Sequence, residues 1–237
     1  SFINVSLNLY LAKYASLDEY GKFGVIFSAA TLLLGFCTSV FINPHLINKP
    51  YTENKKIKNS TAIVVFFLCV LFFVQIFSIV VNLFYQNPGF NFFAAATFCC
   101  VFALKDYIAR IMFIYSNGFD AFLLNFLSAL FICATILFLH PVKSYYQIIL
   151  VFSIFCILFL LKHVIKIVKL NKVQFIVAIK NIKNLVIYSR WSVFGVFLVW
   201  LQSQCYIYVE AMYGDYASVA KANISRLYVA PVIMLMP

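Results

Sequence analysis

Acidic residues are nearly missing from this chain: 7 Asp and Glu stand against 18 Lys and Arg in 237 residues, and charged residues together make up only 11%. A water-soluble domain carries about a quarter charged residues, so a dissolved globule is excluded. Paired His and Cys at metal-like spacing are also missing. The seven cysteines (Cys37, Cys69, Cys99, Cys100, Cys133, Cys156, Cys205) all sit inside apolar runs, which argues for free buried thiols and against a disulfide framework or a zinc site. There is no HExxH, no phosphate-binding Walker loop and no G-x-S-x-G, and His45, His140 and His163 stand at the ends of apolar runs. The chain is therefore not expected to be an enzyme or to need a cofactor.

What is abundant is apolar surface: 65% of residues are hydrophobic, 28 are Phe and 15 are Tyr, and the mean hydropathy is +0.98. An all-α integral membrane protein is the expected fold class. A helix needs about 20 mostly apolar residues to cross roughly 30 Å of hydrocarbon. Runs of that kind lie near Lys22 to Ile47, Thr61 to Tyr85, Phe92 to Tyr115, Ala121 to Leu139, Tyr145 to Leu161, Leu185 to Val209 and Tyr216 to Pro237, with the tail of one more over Ser1 to Leu11. That makes about eight transmembrane helices. The first run is short, the last is cut at Pro237 and no initiator Met is present, so the chain is expected to be a piece of a longer protein. Ser16 and Glu19 form an S-x-x-E capping box ahead of the second run, and "QNPGF" (86–90) and "SNGFD" (116–120) read as turns.

The cations are concentrated in two connections. Residues 47–60 hold four lysines against one glutamate, and residues 162–183 hold Lys162, His163, Lys166, Lys169, Lys172, Lys180 and Lys183. The opposite connections carry little charge, so the two basic segments are placed in the cytoplasm. The net charge of +11 thus follows membrane sidedness, and no nucleic-acid partner is expected. Lys162, Lys166 and Lys169 share a helical face, which reads as an amphipathic helix along the inner leaflet, against anionic lipid; a solvated charge run is the alternative.

"EYGKFG" (19–24) aligns with "DYASVA" (215–220) at an offset of 196 residues, matching an acid, a Tyr and small residues at both glycine positions; Asn8 aligns on Gln204 and Ser6 on Gln202. The basic segment lies between the copies. The expected organisation is a first six-helix bundle over residues 1–161 with a truncated first helix, a basic cytoplasmic linker over 162–184, and the first two helices of a second bundle over 185–237. Six crossings per copy would preserve orientation, so the repeat would be parallel, about an axis along the membrane normal.

The stretch "YLAKYASLDEYGKFGVIFSAATLLLGFCTSVFINP" resembles the first-to-second-helix region of the polysaccharide flippases, the O-antigen and lipid-linked oligosaccharide translocases of the multidrug and polysaccharide exporter superfamily. "SRWSVFGVFLVWLQSQCYIYVEAMYGDYASVAKANISRLYVAP" is similar to their seventh-to-eighth-helix region. The resemblance implies two bundles of six or more helices around a central cavity, in a bacterial cytoplasmic membrane. It implies alternating access that moves an undecaprenyl-diphosphate-linked glycan outward, with protons or sodium as candidate coupling ions. It assigns no invariant functional residue. A drug or cation exporter of the same superfamily and a membrane glycan polymerase or glycosyltransferase are the alternatives.

Such a substrate carries a diphosphate and hydroxyls that cannot enter hydrocarbon bare, because unpaired polar groups there cost several kcal/mol each. Arg226 lies ten residues into its run from Tyr216, roughly 15 Å deep at about 1.5 Å per residue. An arginine at midplane faces a bundle interior or water, and its fork suits phosphate; a buried ion pair or a bond to kinked backbone is the competing reading. Asn223, one turn earlier, is expected to share the site, and Gln204 to hydrogen-bond sugar. Lys22 and Lys221 lie within two turns of the outer interface, where snorkelling competes with substrate contact. Asp106 and Arg110 are spaced for an intrahelical pair, which leaves Lys105 as a cavity candidate; Asp106 as a carrier of a coupling proton is the alternative.

Overall fold

The computed structural model describes residues 2–43, 75, 91–114, 118–138, 144–169 and 175–235. Every regular element in them is helical: α1 (Phe2–Tyr14), α2 (Leu17–Cys37, continued by a π turn over Thr38–Ile42), α3 (Phe92–Ile114), α4 (Gly118–Phe138), α5 (Tyr145–Lys169), α6 (Phe175–Tyr213) and α7 (Tyr216–Leu235). Three helical segments are long and apolar enough to cross a bilayer, Leu17–Ile42, Phe92–Arg110 and Ser189–Tyr213; Ala121–Phe131 and Tyr145–Leu161 are apolar but shorter. The all-helical expectation therefore holds among the described residues. The expected third crossing (Thr61 to Tyr85), the "QNPGF" turn and the first basic connection lie outside them, apart from Gln75.

The start of α2 is set locally. Ser16, in extended conformation, accepts from the backbone N–H of Glu19 through its hydroxyl at 3.3 Å, satisfying one of the orphan donors of the first turn. The Glu19 carboxylate reaches to the first turn of α5, where it accepts from the backbone N–H of Tyr145 at 3.0 Å, and the Tyr145 hydroxyl accepts from the backbone N–H of Asn91 at 3.2 Å. The first turns of α2, α3 and α5 are thus gathered at one end of the molecule.

Aromatic rings lock these parallel helices together. Phe23 meets Phe98 with centroids 6.4 Å apart, Phe27 meets Phe102 at 6.0 Å, and Phe41 meets Tyr107 at 6.3 Å. Phe98 also packs on Phe152 of α5, and Phe131 of α4 stacks on Phe155 at 3.9 Å. Tilted and edge-on pairs of this kind contribute about 0.5–1.5 kcal/mol each beyond the area they bury. Tyr20, Phe23, Phe98, Ile108 and Ile149 are fully buried in the resulting core.

Along the basic segment, α5 continues without a break to Lys169 and α6 begins at Phe175. α6 has 39 residues and is about 58 Å long at about 1.5 Å per residue, nearly twice the roughly 30 Å hydrocarbon layer. Helical backbone propagates once nucleated, and no Gly or Pro stands between Phe175 and Phe194 to stop it.

α7 packs along α2 in the same direction: Gly21 lies against Tyr216, and Gly24 against Val219 and Asn223. A Cβ at Gly21 would fall on the backbone carbonyl oxygen of Tyr216, so only glycine permits the approach there, and a Cβ at Gly24 would displace the amide nitrogen of Asn223. The two segments that align at an offset of 196 residues are therefore neighbours, nearly level with one another. α7 is capped by Asp215, whose Oδ1 accepts from the backbone N–H and the hydroxyl of Ser218, both at 2.7 Å. Those bonds, the hydroxyl first, hold the Asp215 carboxyl below its ordinary range. The helix runs on through Pro231.

Candidate functional site

α1, α2, α6 and α7 enclose a partly open cavity of about 610 Å³. Its wall is mostly apolar but carries polar groups from all four helices. Asn8, Gln204 and Asn223 contribute amides, Ser28, Thr31 and Ser203 contribute hydroxyls, and Arg226 contributes a guanidinium. Tyr20, Phe27 and Trp200 supply ring faces. Asn8 and Gln204, one in each aligned segment, both reach this space. A cavity of several hundred Å³ with an apolar wall and a few convergent polar groups is the usual form of a small-molecule site.

α6 is held on α2 by bonds to helical carbonyls. The Trp200 indole donates to the carbonyl of Ser28 at 3.0 Å, and the Tyr208 hydroxyl donates to that of Val25 at 3.4 Å. Val196 packs on Gly35, where an added Cβ would lie 2.7 Å from its Cγ1. These contacts set the depth of Trp200 in the wall. Tyr20 is oriented by its hydroxyl, which donates to Oδ1 of Asn8 at 3.4 Å.

Arg226 is exposed and lies on the cavity wall. Its Nη1 donates to the carbonyl oxygen of Ser203 at 3.3 Å. That bond takes one of five guanidinium N–H groups. All ion pairs among the described residues belong to Lys22 and Arg110, and the bond to the Ser203 carbonyl is a backbone contact of the kind the competing reading allows.

Gln204 and Asn223 both stand on the wall, and Asn223 also joins helices. Its Oδ1 accepts from the Tyr206 hydroxyl at 3.1 Å and its Nδ2 abuts Gly24. It clips α6, α7 and α2 together and so fixes the helix turn that presents Arg226. Lys22, Lys105 and Lys221 are not among the lining residues. Lys22 is only 8% exposed and pairs with Asp18 at 2.5 Å and Glu19 at 3.5 Å, in the first turn of its own helix. Lys105 lies on α3 within electrostatic reach of Cys156 of α5, away from the cavity. Lys221 is exposed on α7. Asp106 bonds Arg110 at 2.6 Å, the i, i+4 pair its spacing predicts.

No sequence pattern singles out Ser28, Thr31 or Trp200, whereas Tyr20 is the Tyr matched in the alignment of 19–24 on 215–220. A Trp in the middle of an apolar run is the one available signal, since an indole N–H in the membrane needs an acceptor. Gln75 donates to the hydroxyl of Thr97, a helix-joining bond of the kind common in membrane bundles. Asn125 bonds the carbonyl of Ala121 within its own helix. Among the described residues, no group of three or more His, Cys, Asp or Glu side chains could hold a metal.

No protein-family model, curated protein or solved structure matches the chain.

Proposed function

We propose that the chain is part of a multi-pass bacterial inner-membrane flippase that carries lipid-linked oligosaccharide units between leaflets by alternating access. The observation that carries this reading is Arg226 at the wall of a cavity of about 610 Å³, between two segments of related sequence that pack side by side. The cation would hold the diphosphate. The amides of Asn8 and Gln204, the hydroxyls of Thr31 and Ser203 and the rings of Tyr20 and Trp200 suit a sugar, which presents hydroxyls and apolar ring faces together. The lipid tail would remain in the bilayer while the headgroup crosses through the polar space, so its desolvation is offset by fixed protein groups. On this reading the chain makes about eight crossings, with residues 47–60 and 162–183 in the cytoplasm.

Cation export is less well supported, because a cationic substrate calls for carboxylates and the described wall has none. The test is complementation of a strain deleted for the full gene with Arg226→Ala and Arg226→Lys, reading accumulated lipid-linked glycan beside the amount of folded protein. Normal glycan export by a well-expressed Arg226→Ala protein would overturn the reading.

A further inference from the structure

The two helices that flank the cavity from related positions, α2 and α7, meet at their first turns in a seam built differently from the aromatic ones. The α2–α3 seam interlocks rings, Phe23 on Phe98 and Phe27 on Phe102. The α2–α7 seam is smooth: Gly21 lies on the Tyr216 carbonyl and Gly24 on Asn223. At its mouth sits Lys22, 8% exposed, with its ammonium 5.6 Å from the centroid of the Tyr216 ring.

The charge of Lys22 is satisfied within its own helix, by Asp18 at 2.5 Å and Glu19 at 3.5 Å. No ion pair among the described residues crosses to α7. Parting the two helices would therefore break a cation–π contact and van der Waals packing but strand no unpaired buried charge, the event that makes opening an ionic seam costly. Water entering the gap would hydrate an ammonium that keeps both its carboxylates. Glu19 also accepts from the Tyr145 N–H, so Lys22 stays anchored to the first-bundle helices while α7 moves.

We propose that Lys22 and Tyr216, over the Gly21 contact, form a reversible latch that seals the outer end of the cavity and opens by separation of α7 from α2. The latch rests on the transport reading only in its purpose, since alternating access requires this end to open. The test is a labelling experiment on the full chain in lipid nanodiscs, where both membrane faces are reachable and neither sidedness nor substrate enters. A water-soluble sulfonated N-hydroxysuccinimide ester is applied, and acetylation of each lysine is followed by mass spectrometry, with exposed Lys13 and Lys221 as references.

In the unaltered protein Lys22 is expected to react to completion, but at least about tenfold more slowly than Lys13, because reaction waits for the seam to open. Gly21→Leu, which wedges the seam, and Tyr216→Ala, which removes the ring without adding bulk, should both raise the Lys22 rate at least about threefold, though not to that of Lys13, because Asp18 and Glu19 keep the ammonium paired. Lys221 should be unchanged in each. Folding of each variant is checked by its melting transition, and Tyr216→Ala carries the test should Gly21→Leu fail to fold. Three results would each overturn the latch: Lys22 as reactive as Lys13 in the unaltered protein, Lys22 wholly inert over the period in which a folded variant reacts fully, or a Lys22 rate that folded Tyr216→Ala leaves unmoved. None of them bears on whether Arg226 binds a diphosphate, which the export assay decides separately.

Discussion

The hydroxyl of Tyr206 donates to Oδ1 of Asn223 at 3.1 Å, joining α6 to α7 one turn from Arg226. The bond decides which way α7 is rotated and therefore that the guanidinium faces the cavity. A side-chain bond between membrane helices contributes about 0.6 kcal/mol on average. Tyr206→Phe and Asn223→Ala should each lower the melting temperature in detergent, and the double variant should lose less than the sum, with a coupling of about that size. Additive losses would show that the two side chains do not act together.

Arg226 should be replaceable for charge but not for shape. Lys supplies a point charge without the planar fork that grips a phosphate at two points. On the proposed function, binding of undecaprenyl diphosphate to purified protein should fall by roughly tenfold to a hundredfold in Arg226→Ala, the loss of a charge-assisted bond of about 1.5–3 kcal/mol. Arg226→Lys should lie between. Calorimetric or fluorescence titration in nanodiscs checks the order of the three proteins.

The glycines divide sharply. A Cβ at Gly21 would fall on the backbone carbonyl oxygen of Tyr216, while one at Gly195 meets nothing within 4 Å. Gly21→Ala should destabilise by about 1–3 kcal/mol as an overpacked contact. Gly195→Ala, in mid-helix, should be neutral or stabilising by up to about 1 kcal/mol. Parallel thermal melts of the two variants test the α2–α7 approach directly.

The Asp215 cap predicts a pH dependence with a definite sign. Its carboxyl is held below the ordinary value of 3.8 by the Ser218 hydroxyl and N–H, so the native state favours the ionised form. The cap's contribution is then present in full above the ordinary value and disappears as pH falls through the lower, folded one. The difference in melting temperature between the unaltered protein and Asp215→Ala should be constant near neutrality and shrink in acid below that point. A difference that grows on acidification would contradict the capping geometry.

Sidedness is open to the lysine chemistry as well. On the proposed topology, with the basic segments in the cytoplasm, Lys13 and Lys221 should react with the same impermeant ester on intact cells, and Lys172 and Lys180 only after permeabilisation. The reverse pattern would overturn the topology on which the direction of transport rests.

Features that depend on a few neighbouring residues are legible in the sequence. The Ser16 cap, the Asp106–Arg110 pair and the helical class follow from spacing along one helix or from composition, and each is present. The alignment of 19–24 on 215–220 also marks the two segments that become neighbours. Lys22 is different: its distance from the interface allows snorkelling, and nothing local reveals that Tyr216 covers it. Lys105 and Arg226 are both cations within apolar runs, yet of the two Arg226 alone reaches the cavity, since the face a helix turns inward is chosen by its partners.

By itself the sequence determined the solvent this chain folds for and the secondary structure it adopts there: a backbone in hydrocarbon must satisfy its own hydrogen bonds, and 65% apolar residues leave helices as the route taken. Tertiary structure alone decided which polar side chains share one space. Asn8, Gln204 and Arg226 come from three separate helices and meet only because two glycines let α7 lie against α2 and because Trp200 and Tyr208 dock α6 on its carbonyls. Those contacts are steric and long-range, and no local pattern encodes them.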